Sequence, residues 1–138
     1  MDWKDERVVI VGVARQGTAL AQYLAGLGAR VVLTDRRSAA DLGSPRAALA
    51  GLPIDWELGG HPLSLLDGAD WLCPSGGVPL TIPLVVAAQE RGIPLTNDSQ
   101  VFIAAAPCPV VGITGSAGKT TTTTLVGRMA AAAVQHGS

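Results

Sequence analysis

An apolar strand followed by a glycine-containing turn, a helix and a second strand is the feature that most constrains this fold. Residues 8–11 read Val-Val-Ile-Val and lead into Gly12-Val-Ala-Arg-Gln-Gly17. Residues 18–27 carry apolar side chains at helical spacing, and residues 31–34 form a second apolar run that ends in Asp35. This βαβ unit, with an acid closing its second strand, has the organisation of a Rossmann-type nucleotide site.

The glycine fingerprint of this turn is incomplete. Ala14 occupies the middle glycine position of G-x-G-x-x-G, so a plain βα turn of the fold is the alternative interpretation. Asp35 is placed where NAD enzymes hold a ribose. Arg36 and Arg37 follow it, and either could meet a phosphate or a base edge or simply be solvated.

The pattern continues as alternating strands and helices up to residue 106. We predict strands at 53–58, 70–73 and 93–96, the last at a sheet edge because of Pro94, and helices at 45–52, 82–91 and 100–106. Ser75, Gly76 and Gly77 follow the strand at 70–73, where open α/β sheets bind ligands, although a tight loop explains them nearly as well. Residues 1–106 are therefore predicted to form a Rossmann-like, doubly wound α/β domain with a mostly parallel sheet.

A second glycine-rich turn follows the Pro-Cys-Pro segment at 107–109, where we place a domain boundary. Val110, Val111, Ile113 and Thr114 predict a buried strand, and a helix is predicted after Gly118-Lys119-Thr120. This is the design of a phosphate-binding loop, in which Lys119 reaches the β- and γ-phosphates of ATP and the Thr120 hydroxyl binds Mg²⁺. An ordinary strand–helix corner that carries a lysine is the alternative. Residues 107–138 are expected to be the start of a second, truncated domain.

Composition narrows the functional classes. With a net charge of −1 and 15% charged residues, the chain is not predicted to bind nucleic acid or an anionic membrane. We find no signal-peptide pattern and no apolar run of membrane-spanning length. Cys73 and Cys108 have no metal-ligand partners at useful spacing and are expected to be buried thiols in a reducing cytoplasm, and His61 is interpreted as a loop histidine.

Together these motifs resemble the Mur ligase family. The sequence Thr-Gly-Ser-Ala-Gly-Lys-Thr-Thr at 114–121 is similar to the ATP loop of that family, which lacks the first Walker glycine. The Val-Val-Ile-x-Gly start, the Asp35-Arg36 ending of the second strand, the Ser-x-Gly-Val-Pro loop at 75–79 and the Arg-Gly-Ile-Pro segment at 91–94 follow in the family's order. The resemblance covers essentially the whole chain, although a family member is much longer.

The resemblance implies two nucleotide sites. The first would bind the UDP part of UDP-N-acetylmuramoyl-L-alanine. The diphosphate would face Arg15, Gln16 and Gly17, and the uracil would contact Asp35, Arg36 and Arg37. The nucleotide cleft would be lined by Ser75, Gly76 and Gly77. The second would bind the ATP phosphates through Gly115, Ser116, Ala117, Gly118, Lys119, Thr120 and Thr121. Lys119 and Thr120 would be its catalytic residues, and Thr120 would bind Mg²⁺ together with ligands outside this chain.

The family reaction belongs to cytoplasmic peptidoglycan precursor synthesis. ATP phosphorylates the alanyl carboxylate, and the amine of D-glutamate attacks the resulting acyl phosphate. Ala14, Gly76 and Ala117 depart from the family pattern, and the central-domain metal ligands, the modified lysine and the D-glutamate-binding domain have no counterpart here. We therefore expect the chain alone to bind a UDP-sugar without catalysing ligation.

Other functional classes stay open at this point. A Mur ligase other than the D-glutamate-adding member, or a folylpolyglutamate synthase, would share the ATP loop. The Asp35-Arg36 ending of the second strand and the Ser75–Pro79 loop favour the D-glutamate-adding member over both. A stand-alone nucleotide-binding module with a vestigial phosphate loop is a second class. An NAD-dependent dehydrogenase domain is a third, favoured by Asp35 but opposed by Ala14 and by the second phosphate loop.

Overall fold

The computed structural model describes residues 2–136, which divide into two compact units with the boundary between residues 105 and 106. None of the helices in the described part is long and apolar enough to cross a membrane.

The first unit alternates strands and helices as predicted. Its elements are β1 (Arg7–Val11), α1 (Arg15–Gly26), β2 (Arg30–Asp35), α2 (Gly43–Ala48), β3 (Ile54–Leu58), β4 (Trp71–Pro74), α3 (Pro83–Glu90) and α4 (Asp98–Ala105). Short 3₁₀ turns lie at Ala40–Leu42 and Leu63–Leu66. The α1 helix begins at Arg15, three residues before the predicted start, so the glycine turn and the helix overlap.

The four strands form one parallel sheet in the order β3-β2-β1-β4. Val8 and Ile10 of β1 face a core that α1 and α4 close from one side, whereas Val9 and Val11 face a second core closed by α3. A strand buried on both faces has to be apolar throughout, which explains the continuous β1 run. The prediction of a doubly wound α/β domain is confirmed.

The predicted fifth strand is reduced to one bridge. Leu95 pairs in parallel with Leu72 at the edge, where the Leu72 N–H donates to the Pro94 carbonyl and the Thr96 N–H donates to the Leu72 carbonyl. Pro94 has no N–H to extend this ladder, so the edge position was predicted correctly but the length of the strand was wrong.

The second unit contains α5 (Lys119–His136), which confirms the predicted helix. The predicted strand at 110–114 was wrong, because no strand of the described residues pairs with this segment. Val111 is 78% exposed, so the buried environment that its side chain suggested is not present. The prediction for Cys108 was also wrong: the thiol lies in the proline-flanked segment outside the core and is exposed, whereas Cys73 is buried on β4.

Candidate functional site

The sheet order reverses next to β1, and this is where open α/β sheets bind their ligands. Helix α1 follows β1 on one side of the sheet and α3 follows β4 on the other, so the loops after β1 and β4 face each other across a crevice. The Ser75 hydroxyl donates to the Gly12 carbonyl at 3.0 Å, and the Ser75 N–H donates to the Val11 carbonyl at 2.9 Å. Ser75 therefore joins the two loops.

Glycine at position 17 permits this approach. A Cβ at Gly17 would lie 2.1 Å from the Gly12 carbonyl oxygen, closer than real Cβ atoms come, and 3.0 Å from Ser75 Oγ, which is a tight contact. Gly12 itself has a φ of 95°, which only glycine adopts readily. The two glycines bring the first turn of α1 against the end of β1, where a helix N-terminus favours a phosphate.

The buried Asp35 and the half-exposed Arg37 form a corner beside this turn. One carboxylate oxygen of Asp35 accepts the N–H of Val13 at 2.8 Å and Nη2 of Arg37 at 2.8 Å. The other accepts the backbone N–H of Arg37 at 2.9 Å and its Nε at 3.0 Å. These hydrogen bonds, first of all those from the Arg37 side chain, hold the pKa of Asp35 well below its usual range despite its burial. Asp35 thus fixes the turn and the arginine at once.

A second polar contact ties the turn after β3 to this corner. The Thr34 hydroxyl lies 2.9 Å from the Gly60 carbonyl oxygen, to which it donates, and 2.9 Å from Nδ1 of His61. A hydroxyl has one hydrogen, so Nδ1 must be the donor in the second contact. The N–H groups of Gly59 and Gly60 also donate to the Asp35 carbonyl, at 2.9 and 3.3 Å. Burial lowers the pKa of His61 and favours its neutral form.

A cleft of about 470 Å³ opens beside the crevice, on the far side from β2. Its wall carries hydroxyl and amide side chains, namely Gln16, Ser75, Thr96, Asn97, Ser99 and Gln100. Val78, Leu80 and Leu95 add apolar surface. The Thr96 hydroxyl is buried and has no hydrogen-bond partner in the described structure.

The structure brings part of the predicted substrate site together. Gln16, Ser75 and Gly76 line this cleft, and the Gln16 amide oxygen lies near enough to Gly76 that a Cβ there would meet it at 3.4 Å. Asp35 and Arg37 are directly paired. The other predicted members, Arg15, Arg36 and Gly77, are exposed: Arg15 begins α1, Arg36 follows β2, and Gly77 lies in the loop after β4.

The predicted phosphate loop lies wholly in the second unit. Gly118 has a φ of 76° directly before the first residue of α5, and the Thr122 N–H donates to the Gly118 carbonyl. The Lys119 ammonium folds back onto the Gly115 carbonyl. All seven predicted residues, 115–121, are exposed. A lysine at a helix N-terminus next to glycines fits a nucleotide phosphate, and the described residues contain no group of three or more acidic, His or Cys side chains for a metal ion.

Sequence reasoning did not assign three residues of this region. Thr34 and Thr96 were treated only as strand residues, and His61 only as a loop residue. The available signal was a polar residue at the carboxyl end of a buried strand, which in a parallel sheet is where ligands bind. Cys73 stays structural, because burial raises the pKa of its thiol to about 12.

Comparison with known proteins supplies relatives for most of the chain. A family model described as Mur ligase MurD-like, N-terminal domain, matches residues 6–97. The UDP-N-acetylmuramoylalanine–D-glutamate ligase of Anaeromyxobacter dehalogenans is 44% identical over 133 residues, covering 93% of this chain and 28% of the relative. The ligase of the same name from Shouchella clausii is 43% identical over 125 residues, covering 90% and 27%.

A solved structure supports the same relationship. The pseudomurein peptide ligase type C of Methanothermus fervidus matches with a TM-score of 0.55 and 27% identity, covering 85% of this chain and 24% of that one. The chain thus spans 27–28% of the length of the two curated relatives.

Proposed function

This chain belongs to the Mur ligase family, with a MurD-like N-terminal domain at residues 6–97, and from that premise we propose that it binds the UDP-sugar substrate of a D-glutamate-adding ligase. The whole enzyme would join D-glutamate to UDP-N-acetylmuramoyl-L-alanine at the expense of ATP, through an acyl phosphate, in cytoplasmic peptidoglycan synthesis. The names of the curated relatives support this reaction.

The observation that carries the proposal is the crevice between the loops after β1 and β4. Gly12, Gly17 and Ser75 hold the two loops together, and the N-terminus of α1 lies at the edge of the opening. Ala14 makes no side-chain cap bond there, so backbone N–H groups of the first turn are free to donate to phosphate oxygens. Arg15 and Gln16 begin the same turn and would face the diphosphate.

The Asp35–Arg37 corner would hold the nucleoside end. All of the roughly four acceptor sites of the Asp35 carboxylate are filled by Val13 and Arg37. Asp35 therefore acts on the uracil through the residues that it fixes, while Arg36 and the half-exposed face of Arg37 make the contacts. This arrangement does not favour NAD, since an NAD-type acid needs free lone pairs for the ribose hydroxyls.

The second unit would bind the phosphates of ATP. Lys119 would leave the Gly115 carbonyl and neutralise phosphate charge, the backbone of 115–118 would donate N–H groups, and Thr120 would offer its hydroxyl to Mg²⁺. ATP with Mg²⁺ supplies the phosphoryl group that activates the substrate carboxylate. The described residues contain no cluster of metal-ligating side chains to complete the metal site. The chain is therefore proposed to bind substrate without completing the reaction.

Calorimetric titration tests the binding proposal. The 138-residue chain is titrated with UDP-N-acetylmuramoyl-L-alanine and UDP, with NAD as the matched dinucleotide control. We expect saturable heat with the first two and none with NAD. Binding of NAD that survives excess UDP would overturn the assignment and restore the dehydrogenase-type interpretation.

A second assay tests the lack of catalysis. Purified chain is mixed with labelled D-glutamate, UDP-N-acetylmuramoyl-L-alanine and Mg·ATP at enzyme concentrations high enough to detect a single turnover. We expect no labelled product. Product formed at one equivalent or more would show that the chain suffices for ligation.

A further inference from the structure

We propose that His61 determines which base the nucleotide carries, with its Nε2 atom accepting a hydrogen bond from the ring N3–H of uracil. The proposal rests on the function proposed above, because it names a residue that distinguishes the base of that same substrate from others. His61 lies in the turn after β3, outside the group of Asp35, Arg36 and Arg37 at which the base was predicted to bind.

The Thr34 hydroxyl fixes which nitrogen of His61 is able to accept. The hydroxyl donates its hydrogen to the Gly60 carbonyl, so Nδ1 of His61, 2.9 Å away, carries the hydrogen of the second contact. A neutral imidazole has one N–H, which leaves a lone pair on Nε2. Among the described residues, the buried side-chain atom without a partner is the Thr96 hydroxyl oxygen, so Nε2 of His61 is accessible to a ligand.

The histidine and the Asp35 corner lie on opposite sides of the end of β2. Successive side chains of a strand leave on opposite faces of the sheet. Leu33 belongs to the core closed by α1 and Val32 to the core closed by α3. Asp35 therefore continues the α1 face with its bound arginine, and Thr34 continues the other face with His61. A planar base over the end of β2 lies between an acceptor and a cation.

Uracil and cytosine differ at the atom that this acceptor meets. N3 of uracil carries a hydrogen, whereas N3 of cytosine carries a lone pair. The lone pair of a neutral His61 therefore pairs with uracil and opposes cytosine, and a site built around such a hydrogen bond rejects the analogue that cannot make it. Protonation reverses the preference, because Nε2 then becomes a donor that cytosine N3 accepts.

The charges around His61 make this preference depend on pH. Burial lowers the pKa of His61, the Asp35 carboxylate raises it and Arg36 lowers it, with a net decrease. Arg37, the remaining charge at this end of β2, is paired with Asp35. His61 is therefore neutral at about pH 7.5 and gains charge as the pH falls towards about 5. Asp35 stays ionised over this interval, because hydrogen bonds hold its pKa well below its usual range.

Calorimetric titration of the 138-residue chain with UDP and with CDP tests the assignment. At about pH 7.5 UDP should bind about tenfold more tightly than CDP, the effect of one discriminating hydrogen bond. At about pH 5 this preference should shrink by about threefold or more. The phosphates of the two nucleotides titrate alike, so the ratio of the affinities reports the base. Equal affinities at the higher pH, or a preference that does not change with pH, would overturn the assignment.

His61→Asn separates recognition of the base from folding. The amide N–H of asparagine still reaches towards Thr34, but no atom takes the place of Nε2. The melting temperature should stay near that of the wild type, while the preference for UDP over CDP falls to within about twofold at both pH values. His136→Asn, at the other histidine and in the second unit, is the matched control and should keep the preference. A full preference in His61→Asn would contradict the proposed contact.

Long-range ¹H–¹⁵N NMR of the wild-type chain makes the test independent of how the variant folds. At about pH 7.5, UDP should shift the Nε2 resonance of His61 and CDP should leave it in place. UDP binding without this shift and without a base preference would overturn only the role of His61. No UDP binding by the wild-type chain would overturn the proposed function and this inference together.

Discussion

Asp35 shows how one side chain organises the nucleoside end of the candidate site. Its carboxylate accepts hydrogen bonds from the Val13 N–H, which fixes the turn after β1, and from Arg37, which fixes a cation beside it. The same four bonds leave little room for a direct ligand contact. A residue that sequence analysis places against the ligand can therefore act one contact further away, by positioning its neighbours.

Replacing Asp35 by Asn should destabilise the first unit by about 1–3 kcal/mol at neutral pH, since an amide nitrogen cannot accept from the Val13 N–H or from Arg37. Urea denaturation followed by tryptophan fluorescence measures this unit directly, because Trp3, Trp56 and Trp71 all lie in it. Asp55→Asn, at an exposed position of β3, is the control and should stay near wild type.

The same pair of proteins gives a pH prediction. The folded pKa of Asp35 is depressed, so its contribution is complete above the unfolded value of about 4 and is lost as the pH falls below it. The stability difference between wild type and Asp35→Asn should therefore stay nearly constant between about pH 6 and pH 4 and shrink as the pH is lowered further, from about 4 to about 2. A difference that stays constant as the pH falls from about 4 to about 2 would show that these bonds do not hold the carboxylate in its ionised form.

The Thr34 hydroxyl offers a second residue-scale prediction. Thr34→Val removes the acceptor for His61 Nδ1–H and the donor to the Gly60 carbonyl, at a cost of about 1 kcal/mol. Long-range ¹H–¹⁵N NMR should show His61 protonated at Nδ1 in the wild type and predominantly at Nε2 in the variant. Wild-type protein carrying its proton on Nε2 would contradict the hydrogen-bond assignment.

At the scale of elements, the packing of α1 against the end of β1 depends on a missing side chain. The Gly17 Cα faces the Gly12 carbonyl and Ser75, which are backbone and a bonded hydroxyl and so have little freedom to move. The packing of α1 against β1, the contact between the loops after β1 and β4, and the candidate phosphate site thus all depend on glycine at position 17.

Gly17→Ala should destabilise the first unit by about 3 kcal/mol, because the added methyl group forces α1 away from β1. Gly26→Ala is the matched control in the same helix, since nothing lies within 4 Å of its position, and should stabilise the unit by about 0.5–1 kcal/mol. Urea denaturation compares the two. Equal stability of both variants would mean that α1 does not pack as closely as the structure shows.

Much of this fold was predictable because its strands are buried on both faces. The apolar runs of β1 and β2, the glycines Gly28 and Gly92 that follow α1 and α3, and the turn at Gly17 are local signals that agree with the global arrangement. The segment at 110–114 shows that local signals alone do not predict a strand. Its β-branched residues favour an extended backbone, but a strand also needs a neighbouring strand to pair with. Thr96 was missed for a related reason, since an unpartnered hydroxyl is visible only once the core around it is built.

At the scale of the whole molecule, the two proposed nucleotide sites belong to separate compact units. The proposed UDP-sugar site would use residues of the first unit, and the proposed phosphate loop would use residues of the second. Every contact that holds the crevice, the Asp35 corner and the cleft is made within the first unit. The two binding events should therefore be separable by single substitutions.

Lys119→Ala tests this separation. Its ammonium contacts the Gly115 carbonyl, a neighbour within the second unit, so its removal should leave the affinity for UDP-N-acetylmuramoyl-L-alanine within twofold of wild type in a calorimetric titration. Any Mg·ATP binding should be lost, because Lys119 is the cation proposed to meet the phosphates. Lys4→Ala, an exposed lysine before β1, controls for the change of net charge and should affect neither ligand. A parallel loss of both affinities in Lys119→Ala would mean that one site serves both ligands, and the assignment of the substrate to the β1–β4 crevice alone would be wrong.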